Sequence, residues 1–300
     1  MKKVSQTRIA AYLKGQARPL EQRLYAYHFE GGSLADVLAE LARFQDPDGG
    51  FGHALEPDVR LPGSSVIATT IAFQRLREIH VPADHPVVAN GCRYLRDTYD
   101  AAAVNWPIIP PNVEDAPHAP WWEYGSDLSH RPINPRAEIL GYLHEYADHF
   151  PAAMRQQVTD AVVDHLVAYP DKMEMHDLLC AVRLYDTASL PETTKTRLFD
   201  KLKCAAEQAV ARDPAQWAEY GLQPLGIISG PNSPFATLFR RELDANLDFM
   251  IDHLTDAGCW TPNWSWYGQW PDVWPQAEQD WRGVLTLNNL CTLRAFGRLE

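Results

Sequence analysis

His53, Glu56, Asp58 and Arg60 fall within one eight-residue stretch, and these side-chain types can do acid–base work. Two carboxylates beside an imidazole can supply a general acid and a general base, while an arginine clamps an anionic group. Glu56, Asp58 and His53 are therefore candidate catalytic residues, with Arg60 a candidate substrate contact. The competing reading of the same stretch is a solvated loop held by surface ion pairs, with Gly49 and Gly50 making its turn. His176 is a further candidate base. Its neighbours Glu174 and Asp177 open a helix there, and an acidic pair in that position can simply complement the helix dipole.

Residues 260–281 hold six of the ten tryptophans of the chain. Indole faces can stack on sugar rings, or stabilise a cation through the ring quadrupole. Trp264, Trp266 and Trp270 are candidate substrate-binding residues, whereas Trp260 and Trp281, beside helix ends, read as packing. Glu278, Asp280 and Arg282 precede the last inner helix and are candidates for the same mouth. Trp122 joins them from a loop whose five prolines between 107 and 120 make it a shaped lid. Glu56 and Asp58 are expected to face Trp264 and Trp266 across one mouth.

The elements that must hold these loops are helical throughout. Leu34, Val37, Leu38 and Leu41 make a narrow apolar stripe at 3/4 spacing, and so do Met154, Val158, Val162 and Leu166. Such helices cover a core with one side. Between them lie segments that are apolar over most of their circumference, at Val66–Ile79, Pro135–Ala147, Met173–Tyr185 and Val284–Phe296. These must be buried on several sides. One-faced and many-faced helices in alternation predict an all-α fold, an α/α toroid of about six helical hairpins in one domain over residues 1–300, with a non-closed α-solenoid or stacked hairpins as the competing arrangement. The fifth inner segment, near 214–228, is broken by Gly221, Pro224 and Gly226. Asn134 is expected as an N-cap, Ser64 and Ser65 as caps of Val66–Ile79, and Ser233-Pro234 as an outer-helix start carrying Phe235 and Leu238. Outer-to-inner connections are long (45–64, 100–134, 255–283) and inner-to-outer ones short, so the functional loops should gather on one face.

The first long loop opens on Gln45-Asp46-Pro47-Asp48-Gly49-Gly50-Phe51, of the form Gln-x3-Gly-x-aromatic, with a degenerate copy at Leu254–Trp260. This unit at an outer-helix end resembles the QW repeat of triterpene cyclases and the Gly-Gly-Phe loops of protein prenyltransferase β-subunits. Both belong to the terpenoid cyclase/protein prenyltransferase superfamily of α/α toroids. The resemblance implies a cavity lined by inner helices and an isoprenoid-like ligand. The chain departs from the family's catalytic patterns: it has no Asp-x-Asp-Asp run, Asp256 and Cys259 are one residue too far apart for Asp-x-Cys, and no His follows Cys259. Neither activity is carried over. Carboxylate pairs and tryptophan platforms instead suit a carbohydrate-active toroid, and loss of the acid motif suits a non-catalytic binding protein. Gln45 itself reads as structural.

The net charge of −12 argues against a nucleic-acid partner, which requires a basic face. A small-molecule ligand, isoprenoid-like or a saccharide, is the expected partner. Five scattered cysteines without a CxxC point to a reducing cytoplasm. No segment reads as a signal peptide or reaches the ~18 apolar residues of a membrane span. No His or Cys spacing suits a metal, Gly31-Gly32 and Gly49-Gly50 read as turns, and no cofactor is expected. No feature selects an oligomeric state.

Overall fold

Every regular element among the described residues is a helix, and β-structure is limited to isolated bridges. The computed structural model describes residues 1–126 and 132–300, so residues 127–131 of the 100–134 loop lie outside the described residues. In chain order the helices are α1 (Gln6–Gln16), α2 (Pro19–Phe29), α3 (Leu34–Leu41), α4 (Val66–Glu78), α5 (Pro86–Asp97) and α6 (Arg136–Glu145). They continue as α7 (Ala152–Ala168), α8 (Met175–Tyr185), α9 (Glu192–Ala209), α10 (Pro224–Ile227), α11 (Arg240–Asp252) and α12 (Trp274–Ala295). The chain divides into two compact units, residues 42–209 and residues 1–41 with 210–300.

In the 42–209 unit, α6 packs on α4, α7 and α8, while α9 covers α7 and α8 and α5 covers α4. Those neighbours explain the sequence of α6, in which every residue from Arg136 to Leu143 is buried. Ile139, Leu140 and Leu143 are fully enclosed, each worth ~1.5–3 kcal/mol of transfer free energy. Helices α7 and α9 bury only stripes, Met154, Val158, Val162 and Leu166 on one and Leu198, Leu202 and Ala205 on the other. In the other unit α1 lies on α2 and α12, α2 lies on α12 and α3, and α10 lies on α11. The break in the fifth inner segment leaves α10 with only four residues.

The Gln45–Phe51 turn and its copy share one hydrogen-bonding plan. Asp46 N donates to Gly50 O (2.9 Å) and Gly49 N to Asp46 O (2.9 Å); Thr255 N donates to Cys259 O (3.0 Å) and Gly258 N to Thr255 O (2.9 Å). Gly49 (φ 95°) and Gly258 (φ 84°) take the left-handed conformation that glycine adopts without a Cβ penalty. Phe51 N then donates to Thr69 Oγ1 of α4 at 3.0 Å, and Trp260 N to Thr286 Oγ1 of α12 at 3.1 Å. Gln45 Nε2 donates to the carbonyls of Gly49 and Val87, both at 3.0 Å, which ties the turn to α5. A third copy, not evident from the sequence, spans Tyr99–Trp106. Asp100 N donates to Asn105 O (2.9 Å), Val104 holds the left-handed position at φ 51°, and the Trp106 indole caps Leu95 O as the Trp260 indole caps Met250 O. One extra residue and a valine in place of glycine hide it.

Three expected boundaries are corrected. α12 starts at Trp274 with Pro275 in its first turn, ten residues before Val284, so Glu278, Asp280 and Arg282 lie on the helix and not in the loop. Its first turns set Trp274, Ala277 and Trp281 at 3/4 spacing, with i,i+4 contacts beside them: Gln276 to Asp280 at 2.8 Å and Arg282 to Glu278 at 2.7 Å. Ser233-Pro234 opens turns rather than a helix, with Ala236 N donating to Ser233 O (3.0 Å) and Leu238 N to Phe235 O (3.1 Å), and α11 begins only at Arg240. Ser65 caps α4 through its Oγ (3.2 Å from Ala68 N), but Asn134 caps nothing. Its backbone N donates to Asp177 Oδ1 at 3.1 Å and its side chain accepts the Cys180 thiol at 3.4 Å.

Candidate functional site

In the 42–209 unit the 45–64 and 100–134 loops zip together. Val59 and His118 form an antiparallel bridge, Arg60 N donates to Pro117 O (2.9 Å) and Ala119 N to Asp58 O (2.9 Å). This pairing buries residues 54–59, so Glu56 and Asp58 are only 5% and 3% exposed. The stretch is therefore not a solvated loop. His118, which no spacing in the sequence singled out, lies in the same pairing and is buried. Its Nδ1 sits 2.7 Å from Ala116 O, and a carbonyl can only accept, so Nδ1 carries the proton. Its Nε2 lies 3.9 Å from Glu114 Oε2. His53 turns elsewhere: its Nε2 meets Asp46 Oδ1 at 2.9 Å, and Asp46 Oδ2 accepts from Ser64 at 3.0 Å. It belongs to the Gln45–Phe51 turn.

His176 is held by the cap of its own helix. Glu174 Oε2 accepts the His176 and Asp177 amides at 2.8 and 3.2 Å, and Glu174 Oε1 meets His176 Nδ1 at 2.8 Å. That is a capping and dipole arrangement. Asp177 is buried and receives Tyr169 Oη at 2.8 Å. Trp122 is buried, with its indole Nε1 lacking a hydrogen bond.

Deeper in the same unit, Glu138 is a buried carboxylate at the junction of α4, α6 and α8. It accepts from Gln74 (2.8 Å), Arg183 (2.9 Å), the Tyr142 hydroxyl and, weakly, the Cys180 thiol. Burial first, and the Glu138 charge second, push the Tyr142 hydroxyl and the Cys180 thiol well above their ordinary pKa values. The network joins three helices, and its members satisfy one another. One signal could have found it: a charged residue in the first turn of a helix apolar on all sides.

Trp264, Trp266, Trp270, Glu278, Asp280 and Arg282 belong to the other unit. Trp266 is fully buried against Trp274 (5.7 Å between centroids), and so is part of the core. Trp270 is 43% exposed at φ 45°, beside the exposed Tyr267. Trp264 meets Trp281 edge-on at 5.1 Å and Tyr220 at 5.9 Å. Trp264 also lines a cavity of about 520 Å³ together with Trp217, Tyr220, Trp260 and, from α12, Asn288, Asn289 and Thr292. These three lie on one face of α12 because 288, 289 and 292 follow the 3/4 helical spacing. No Asp, Glu, Lys or Arg lines this cavity.

Comparison of the chain with protein-family models, with curated proteins and with solved structures finds no match.

Proposed function

We propose that the chain is a ligand-binding α/α toroid of about six outer–inner helical pairs in the terpenoid cyclase/protein prenyltransferase lineage, and that its ligand is a neutral saccharide. The observation that carries the ligand class is the cavity of about 520 Å³, lined by tryptophan and tyrosine side chains together with amide and hydroxyl side chains from one face of α12. Aromatic faces stack on the C–H surface of a sugar ring, amides exchange hydrogen bonds with its hydroxyls, and the missing charge removes any preference for an ionic ligand. An isoprenoid would leave Asn288, Asn289 and Thr292 facing hydrocarbon, at a cost for each unpaired polar group. The three turns of common geometry and the alternation of one-faced and many-faced helices support the toroid. Five free cysteines suit a reducing compartment.

A second, catalytic reading rests on the loop pairing that buries Glu56 and Asp58 beside His118. Two carboxylates and an imidazole of fixed tautomer form a general acid/base set, with Arg60 and Trp122 as neighbours for a substrate.

Calorimetric titration with cellotetraose, maltotetraose and chitotetraose, and separately with farnesyl diphosphate, tests the ligand class. One tetrasaccharide should bind, and Trp264→Ala or Asn289→Ala should weaken it about tenfold, the loss of one stacking or hydrogen-bonded contact. Binding of farnesyl diphosphate alone would replace the saccharide by an isoprenoid. Binding of neither would leave a scaffold. Turnover of the bound saccharide, lost in Glu56→Gln and Asp58→Asn, would add the catalytic reading.

A further inference from the structure

A second cavity, of about 580 Å³, lies in the 42–209 unit on the third copy of the turn. Its wall includes Tyr99, Asn105, Trp106, Tyr124 and Arg136. Arg136 is the first residue of α6 and only 6% exposed. Its Nη1 donates to the carbonyl of Val104 at 3.1 Å, while its Nε is buried with no hydrogen-bond partner. No carboxylate among the described residues forms an ion pair with it. The two acidic groups on the same wall are engaged elsewhere: Asp97 with Arg96 at 3.2 Å, and Asp100 with the amides of Ala102 and Ala103 at 2.9 and 3.1 Å. Asn105 Oδ1 is a second buried polar atom on this wall without a partner.

A buried cation without a counter-ion is costly, because the desolvation of the guanidinium is not returned by any opposite charge. Burial accordingly pulls the Arg136 pKa below the usual guanidinium range. The backbone that supports Arg136 is strained as well. Val104 holds φ 51°, a region that a β-branched residue rarely adopts, and in doing so presents its carbonyl to Arg136. The charge also stands at the N-terminal end of α6, where the helix dipole adds to a positive potential.

We infer that this cavity binds a monocarboxylate carried on a flat apolar body, with Arg136 holding the carboxylate and the rings of Tyr99, Trp106 and Tyr124 enclosing the body. A carboxylate matches the planar fork of the guanidinium and supplies the missing charge. Tyr99 and Trp106 lie 4.9 Å apart between centroids and form one wall, and the half-exposed Tyr124 lies at the rim. Asn105 Oδ1 can accept from a hydroxyl or N–H on the ligand. Asp97 and Asp100 on the same wall disfavour a dianion, so phosphate esters fit less well than carboxylates. The site is distinct from the tryptophan cavity of the other unit, and either can fail without the other.

Calorimetric titration of the whole chain with phenylacetate, phenylacetamide and phenyl phosphate tests the site. Phenylacetate should bind at least about tenfold more tightly than the other two, the value of one charge-assisted contact. Arg136→Met should remove that preference while raising the midpoint of thermal unfolding, since an unpaired charge leaves the interior. Tyr124→Ala, at the exposed rim, should weaken phenylacetate and leave the fold intact, which keeps the test valid if Arg136→Met does not fold. Equal binding of phenylacetate and phenylacetamide, preference for phenyl phosphate, no binding of any of the three, or Tyr124→Ala without effect would each overturn the assignment.

Discussion

Replacing Thr69 by valine removes one hydroxyl from the hinge between the Gln45–Phe51 turn and α4. The Thr69 side chain is fully buried, and its Oγ1 accepts from Phe51 N at 3.0 Å while donating to Ser65 O at 2.8 Å. Valine keeps the shape. The Ser65 carbonyl still receives the Thr69 backbone N–H at 3.0 Å, so that loss is small. The amide of Phe51, on a residue with no exposure, loses its acceptor. Leaving a buried amide unpaired costs ~1–3 kcal/mol, and the added methyl group returns up to ~0.8 kcal/mol. The net loss should be about 1–2 kcal/mol. Thr286→Val removes the equivalent bond to Trp260 N (3.1 Å) at an equally buried position, so it should cost the same within ~0.5 kcal/mol. Urea unfolding followed by tryptophan fluorescence and far-UV circular dichroism measures both, read as a shift in midpoint at constant slope. If Thr69→Val unfolds at the wild-type midpoint, or the two variants differ by more than ~2 kcal/mol, the common geometry is not a common mechanical element.

Gly49→Ala and Gly258→Ala should each cost more than ~2 kcal/mol in the same urea assay, because φ is positive and the new Cβ would lie 2.3 Å from Asn90 O or 2.5 Å from Arg8 O. Gly125→Ala, at φ 81° with open space around it, should cost only ~1 kcal/mol. For pH, burial and then the Arg155 charge lower the pKa of His144 below 6.5 in the folded chain. A depressed folded pKa means that the unfolded chain takes up the proton first, so stability is full above the unfolded value and falls as pH drops towards the folded one. Unfolding midpoints measured from about pH 7 to about pH 5 should therefore decline, and His144→Gln should flatten part of that slope; an unchanged slope would remove His144 from the account.

Much of the helical frame was legible because it rests on local rules. Pro19 marks the start of α2, Ser65 marks α4, and the residues Gly221, Pro224 and Gly226 mark where an inner helix fails. Each needs only a residue and its near neighbours. The early start of α12 was not legible, because its apolar positions Trp274, Ala277 and Trp281 are set among polar residues in a tryptophan-rich stretch that reads as loop. The Tyr99–Trp106 turn was hidden by Val104, a residue that no local rule places at positive φ. The candidate site was legible as composition and not as assembly. Glu56 and Asp58 stood out as a pair, but their burial comes from a bridge to His118, 59 positions beyond Val59. Trp266 looked like Trp264 in sequence, yet one is sealed against Trp274 and the other lines a cavity.

By itself, the sequence determined that this chain is helical, which helices are buried on one side and which on several, and where glycine-dependent turns recur. Periodicity and turn chemistry act over a few residues, and a linear pattern records them directly. Only the tertiary structure decided which polar groups lack partners. Arg136 became a buried cation, Glu138 a satisfied one of opposite sign, and His53 a support for a turn, although all three are ordinary titratable residues in the sequence. Solvation and pairing are properties of neighbours brought together across the chain, and those neighbours exist only after folding.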